Sequence, residues 1–315
     1  MEHSPRRIDV HFHNIPPFYT EAARAAGRVP PRGSYPAWSP ETSLEAMDRH
    51  GIEVAITSFV QSAGMLGHGP QYRDLTRRFN DYAAELCARW PSRFGAFASV
   101  PLPDVGGALL AIDYALDELR FDGVCLQSNY AGTYLGHADF DPVMELLNER
   151  RAVVFVHPSM PSAVPAGAQW PGFVLEFPLD TSRAAVNLLF NRTLERFPDI
   201  RIILSHAGGV VPYLAGRLAD SPLIDGRLPQ LSEEEIYRGV RHFWYDTALS
   251  HGPESMGALR AVADPSRILF GSDWPWATEK VLAQMENTIA RSGLAEAERA
   301  AIDRGNAAAL FPRFR

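Results

Sequence analysis

Lysine is all but missing from this sequence: Lys280 is the only one in 315 residues, so nearly all the positive charge is arginine. Cysteine is almost as scarce. Cys87 lies in a helical pattern and Cys125 in a strand pattern, both apolar, and the pair reads as buried and reduced, with no disulfide framework to expect. No apolar run reaches the roughly 18 residues that a membrane helix requires. Met1 to Arg7 is polar and leads straight into a strand pattern, so cytoplasmic residence is the default expectation. A surplus of basic charge is also lacking. With a net charge of −7 and a pI near 5.8, the chain would be repelled by nucleic acid and by anionic membranes, which favours small molecules as partners.

The remaining composition, 46% hydrophobic and 21% charged, is that of an ordinary soluble globular protein. At this length, residues 1–315 are expected to form one domain around one core. Short apolar runs rich in β-branched and aromatic residues predict eight strands: Arg7–His13, Val54–Val60, Phe94–Leu102, Gly123–Ser128, Ala152–Pro158, Arg201–Ala207, Phe243–Ala248 and Arg267–Trp274. Most are too apolar for a half-exposed antiparallel sheet. Ser39-Pro40-Glu41 predicts a capped helix ending at His50-Gly51. Helical spacing recurs in Tyr72–Arg89, Gly106–Leu119, Phe140–Arg150, Ser182–Arg196, Pro253–Ala263, Thr278–Arg291 and Ala295–Leu310. Alternating strands and helices predict a parallel (β/α)8 TIM barrel. Two long loops, Asn14–Ala37 and Ser159–Pro178, follow the first and fifth strands, on the face where such barrels place their active sites.

Four of the ten histidines fall at strand C-terminal ends: His11, His13, His157 and His206. Because side chains alternate along a strand, His11 and His13 share one side, the barrel mouth, while Phe12 faces the helices. Val156-His157-Pro158 and Ser272-Asp273-Trp274 bring another imidazole and a carboxylate to the same rim. Three imidazoles and a carboxylate suit one divalent metal ion, zinc first and manganese or another first-row ion second. His206 could be a fifth ligand or, the reading preferred here, a proton-transfer group; the glycines after it would allow close approach of substrate or backbone. Phe12, Trp170, Trp274 and Trp276 could stack on a planar substrate. His3 is terminal, His50 suits a helix C-terminus, and His68, His137 and His242 fall in loops. His251 is read as a surface or capping residue, with lining the pocket as the alternative. Asp9 and Asp246 lie within strands and could hold helices or histidines in place.

Together, Ile8-Asp9-Val10-His11-Phe12-His13, Phe155-Val156-His157-Pro158, Ile203 through Tyr213 and Ile268 through Pro275 make the chain resemble the amidohydrolase superfamily. The resemblance is strongest to its aminocarboxymuconate-semialdehyde decarboxylase-like branch, the amidohydrolase 2 group, and spans nearly the whole chain. It implies one divalent ion on His11, His13, His157 and Asp273, with His206 acting on bound water or substrate. Binuclear members use a carbamylated lysine after the fourth strand, where this chain reads Leu126-Gln127-Ser128; the resemblance therefore implies a mononuclear site. It also implies a homodimer in which Arg217 reaches the neighbouring site to hold a substrate carboxylate. Arg24, Arg28 and Arg32 are the candidates for a second carboxylate-binding arginine. The expected reaction is non-oxidative decarboxylation of an aromatic or unsaturated carboxylic acid, with His206 and Asp273 as proton carriers and Trp276 against the substrate. Hydrolysis of a lactone, ester or amide by a metal-activated water is the alternative, with a hydratase as a variant of it and a non-catalytic metal-binding barrel as a further one.

Overall fold

A computed structural model describes residues 6–25, 27, 34–59, 70–161 and 170–315. Eight parallel strands, β1 (Arg7–His13), β2 (Ile52–Ser58), β3 (Phe94–Ala98), β4 (Gly123–Gln127), β5 (Val153–His157), β6 (Arg201–Leu204), β7 (Trp244–Asp246) and β8 (Ile268–Leu269), neighbour one another in sequence order. Backbone bonds from Val10 N to Phe270 O (3.0 Å), Asp273 N to His11 O (2.8 Å) and His13 N to Trp274 O (2.7 Å) join the first strand to the last. The (β/α)8 barrel expected from the alternation is the fold observed. No helix among the described residues is long and apolar enough to cross a membrane.

The apolar residues divide into two cores as their alternation requires. Ile8, Val10, Val54, Ile56, Phe97, Cys125, Val153, Phe155, Ile203 and Leu269 fill the barrel, closed from below by Leu310, Phe311 and Phe314. Phe12, Ala55, Phe94, Val124, Val154, Ile202 and Trp274 face the helix layer. Cys125 is buried and Cys87 half-buried; both thiols are free, and burial pushes each up to about 12, so neither is a reactive thiolate near neutral pH.

The helices depart from expectation in three places. A helix runs from Gly172 to Phe190, straight through Pro178, where the sequence reads as loop as far as that proline. A proline within a helix removes one amide bond, and burial of Glu176, Asp180, Thr181 and Ala184 along one face outweighs the loss. Helices Val211–Ile224 and Glu233–His242 were not expected, although Ser232 and Glu235 form a capping box legible in the sequence. His242 therefore ends a helix, not a loop. The loop after β1 contains a helix, Pro17–Ala25, whose Tyr19 packs with Phe59 and Phe79. The predicted helix after Ser39 is present, with Ser39 and Thr42 forming its capping box.

Below the barrel, Arg7 is only 2% exposed yet charged. It bonds Asp303 and Glu286, each at 3.1 Å, and the carbonyl of His50 at 2.8 Å, and its guanidinium lies over Phe270. Removing Arg7 would leave the buried Asp303 with only Arg299, at 3.6 Å, in a low-dielectric site, while the Glu286 side chain, 42% exposed, stays solvated. Arg7→Met is accordingly expected to destabilise the protein by about 3–5 kcal/mol, read from the midpoint and slope of urea unfolding. A loss below about 1 kcal/mol would place the network among surface-type ion pairs.

Candidate active site

Each strand delivers its polar residue at the C-terminal end, where the apolar plug stops. His11 and His13 come from β1, His157 from β5, and Asp273 from the turn after β8. All four are buried, and one donor atom from each lies within 4.8 Å of the others. His11 Nε2 is 3.1 Å from His13 Nε2 and 3.4 Å from Asp273 Oδ1, and His13 Nε2 is 2.9 Å from that oxygen. Metal–nitrogen bonds of about 2.0–2.1 Å in a tetrahedral shell place neighbouring donors roughly 3.3 Å apart. The spacing and chemistry of this group therefore fit one divalent ion, and these residues could hold it.

The far nitrogen of every ring is anchored. His11 Nδ1 meets Asp246 Oδ2 at 2.8 Å, and His13 Nδ1 meets Ser58 Oγ at 3.2 Å. His157 Nδ1 donates to Pro158 O at 2.8 Å and His206 Nδ1 donates to Ala248 O at 3.0 Å. A carbonyl only accepts, so the last two rings carry their proton on Nδ1 and present a lone pair at Nε2. Asp246 links two of these groups, because its Oδ1 also accepts from the amides of His206 and Ala248, each at 2.9 Å. Gly271 makes room for this, since a Cβ there would press on both His11 and Asp246.

Burial lowers the pKa of His13 and His206, and takes His157 well below the usual imidazole value, aided by the neighbouring imidazoles. Burial also pushes His11 down, but Asp246 and Asp273 outweigh it and hold this ring up at about 10. Asp273 is pushed up by burial and held well below the usual carboxylate range by His11 and His13, so it is ionised. Asp9, fully buried, is raised to about 7.

His206 begins a strained turn. His206 and Ala207 have φ of 53° and 56°, Gly208 and Gly209 have φ of 73° and 64°, and Asp273 has φ of 64°. A non-glycine residue in this region costs of order 1–2 kcal/mol. A Cβ on Gly209 would overlap Pro178 O, so the glycine admits neighbouring backbone to this turn. The turn places the His206 ring 4.8 Å from that of His11.

Among the aromatic candidates, Phe12, on β1, and Trp274, in the turn after β8, pack into the outer core against the helix layer. Trp276 is half-buried with its ring 6.2 Å from that of Tyr35, and Trp170 is exposed. Phe177, which the sequence did not single out, lies 6.2 Å from the His157 ring. Asp180 was also missed; it accepts from Ser128 Oγ, from Asn129 Nδ2 at 2.8 Å and from Tyr134 OH at 2.5 Å, tying the β4 loop to the helix after β5. Neither lies in a distinctive motif. Arg217 and Arg24 are both exposed on helices. His3, His68, Arg28, Arg32 and Val60 lie outside the described residues. His251 is half-buried with an unpartnered Nδ1 among the described residues.

A parallel barrel whose strand ends gather three imidazoles and a carboxylate defines a metal-dependent enzyme of the amidohydrolase type. The amidohydrolase family model matches residues 8–313, and the chain belongs to this family. It is 40% identical to the decarboxylase yanB of Aspergillus niger over 98% of this chain and 88% of that protein. It is 37% identical to the 6-methylsalicylic acid decarboxylase of Penicillium expansum, over 98% and 97% of the two chains. The crystal structure of a dihydroxybenzoic acid decarboxylase from Polaromonas sp., with bound manganese and the inhibitor 2-nitroresorcinol, shares the fold at a TM-score of 0.83 and 24% identity over 98% of each chain. The relatives that the chain matches over nearly its whole length are decarboxylases, the reaction class that the motifs implied.

His11 must shed its proton to bind an ion. Its raised pKa contributes stability to the apo protein that is complete below about pH 6.5 and is lost as pH rises through about 10. Divalent-ion binding to the apo protein at pH 7 is therefore expected to release about one proton. Calorimetry in buffers of different ionisation enthalpy measures it, and a release near zero would contradict the assignment.

Proposed function

We propose that the chain is a metal-dependent, non-oxidative decarboxylase of a hydroxybenzoate-like aromatic acid, with residues 1–315 working as one barrel domain. The observation that carries the reading is full-length similarity to decarboxylases together with four buried donors at metal-binding spacing. His11, His13, His157 and Asp273 would hold one divalent ion, zinc or manganese. That ion supplies positive charge that neutralises the substrate's carboxylate and a neighbouring oxygen.

The reaction breaks the bond between ring and carboxyl carbon. The electron pair remains on the ring carbon, which takes a proton as carbon dioxide leaves. His206 Nε2, the lone-pair nitrogen of a buried ring, takes up a proton from solvent and delivers it to that carbon as the C–C bond breaks, and Asp273 is the second carrier. Asp246 keeps His206 and His11 in register through its two oxygens. Trp276 and Phe177 offer apolar faces to a planar ring. Carbon dioxide release from 6-methylsalicylate or a dihydroxybenzoate is expected; acid release from neutral lactones or esters, with no carbon dioxide, would overturn the reading in favour of hydrolysis. His206→Asn is expected to lower turnover about 10²–10⁴-fold with metal content and melting temperature unchanged. Loss of metal would make His206 a ligand, and loss of stability alone would make it a core residue.

Arg217 supports a homodimer. It is exposed on helix Val211–Ile224 with no ion pair among the described residues, and Tyr213, Leu223 and Ile224 on that helix are 81%, 87% and 77% exposed. Burying this face against a second copy would carry Arg217 toward the partner's site to bind the substrate carboxylate. Arg217→Ala should raise KM with the metal retained, and mixing it with a metal-site variant should restore one active site per mixed dimer. No recovery on mixing would assign Arg217 to the surface.

A further inference from the structure

The strand that carries the histidines is not regular. From Asp9 to Phe12, β1 advances three residues while β2 advances two, from Ala55 to Thr57, so β1 holds one extra residue. The consequence is visible in the side chains. Val10 belongs to the barrel interior with Phe155, and its neighbour His11 also lies against Phe155, with ring centroids 4.9 Å apart. Two consecutive residues face inward, which a regular strand forbids.

The other ladder slips at the same level. In an uninterrupted parallel pairing, the bond from Val10 N to Phe270 O would be followed by one from Ser272 N to Val10 O. Instead Ser272 N bonds Asp9 Oδ1 at 3.1 Å, and Asp273 N takes His11 O at 2.8 Å. The amide of His11 bonds the same Asp9 oxygen at 2.9 Å. One fully buried carboxylate oxygen thus receives both amides involved in the slip, while Asp9 Oδ2 has no partner among the described residues.

We propose that Asp9 is a positioning residue: by pinning this bulge it turns His11 into the site and sets the spacing between the donors of His11 and Asp273. The proposal rests on the metal-site reading above. Without the acceptor, two buried amides would be left unpaired, and the strand would gain by relaxing to regular pairing. That relaxation would rotate His11 out of the site and shift Asp273 by one register step.

The test uses the full-length apo enzyme, titrated calorimetrically with Mn2+, with the visible spectrum of the Co2+ form as a readout of ligand geometry. Asp9→Ala is expected to weaken Mn2+ binding roughly 10–100-fold and to change the Co2+ spectrum. Asp9→Asn, which keeps an acceptor oxygen for both amides, is expected to bind Mn2+ nearly as wild type with an unchanged Co2+ spectrum, at some cost in melting temperature from its unpaired amide N–H groups. Wild-type affinity in Asp9→Ala would overturn the proposal, as would Asp9→Asn binding as weakly as a ligand variant. If Asp9→Ala does not fold, the Asp9→Asn comparison still decides. Failure of the site reading itself is distinguishable, since His13→Ala would then bind Mn2+ as tightly as wild type.

Discussion

Everything at the mouth of this barrel depends on anchoring the rear nitrogens of four buried imidazoles. Crowding His11, His13, His157 and Asp273 into a dry pocket costs desolvation that only fixed partners or a bound cation offset. Asp246, Ser58, Pro158 O and Ala248 O supply those partners, and each comes from a strand end or the turn after it. The barrel thus acts as a rigid frame in which neighbouring strands orient one another's side chains, a condition for metal affinity and for proton transfer over short distances.

Three of the left-handed non-glycine residues lie at the site itself. Left-handed backbone at His206, Ala207 and Asp273 is held by Asp246 on the His206 amide, by Pro178 against Gly209 and by the β1–β8 junction. The apolar plug beneath, from Leu310 to Phe314, keeps the lower barrel packed.

At three places the tertiary structure overrides the local signals of the sequence, each for its own reason. The sequence predicts an eighth strand reaching Trp274, yet regular pairing stops at Leu269, because the register slip removes the ladder just before Asp273. Helix Gly172–Phe190 was missed over its first ten residues because Pro178 reads as a breaker, while tertiary burial of Glu176 and Asp180 decides otherwise. Phe12 and Trp274 read as pocket walls by composition, but Phe12 alternates with His11 and His13 toward the helices, and Trp274 packs beside it in the outer core.

The order of apolar runs, the His11-Phe12-His13 alternation and the placement of His157, His206 and Asp273 at strand ends determined the barrel and its donor set, because both follow from local periodicity. Only the tertiary structure decided which nitrogen of each ring faces the site, that Asp246 joins His11 to His206, and that Asp9 pins a bulge bringing Val10 and His11 to one side. Those are contacts between residues up to some 260 positions apart, between Asp9 and Ser272 for instance. A one-residue change of register that reverses a strand's faces leaves no trace in composition or spacing.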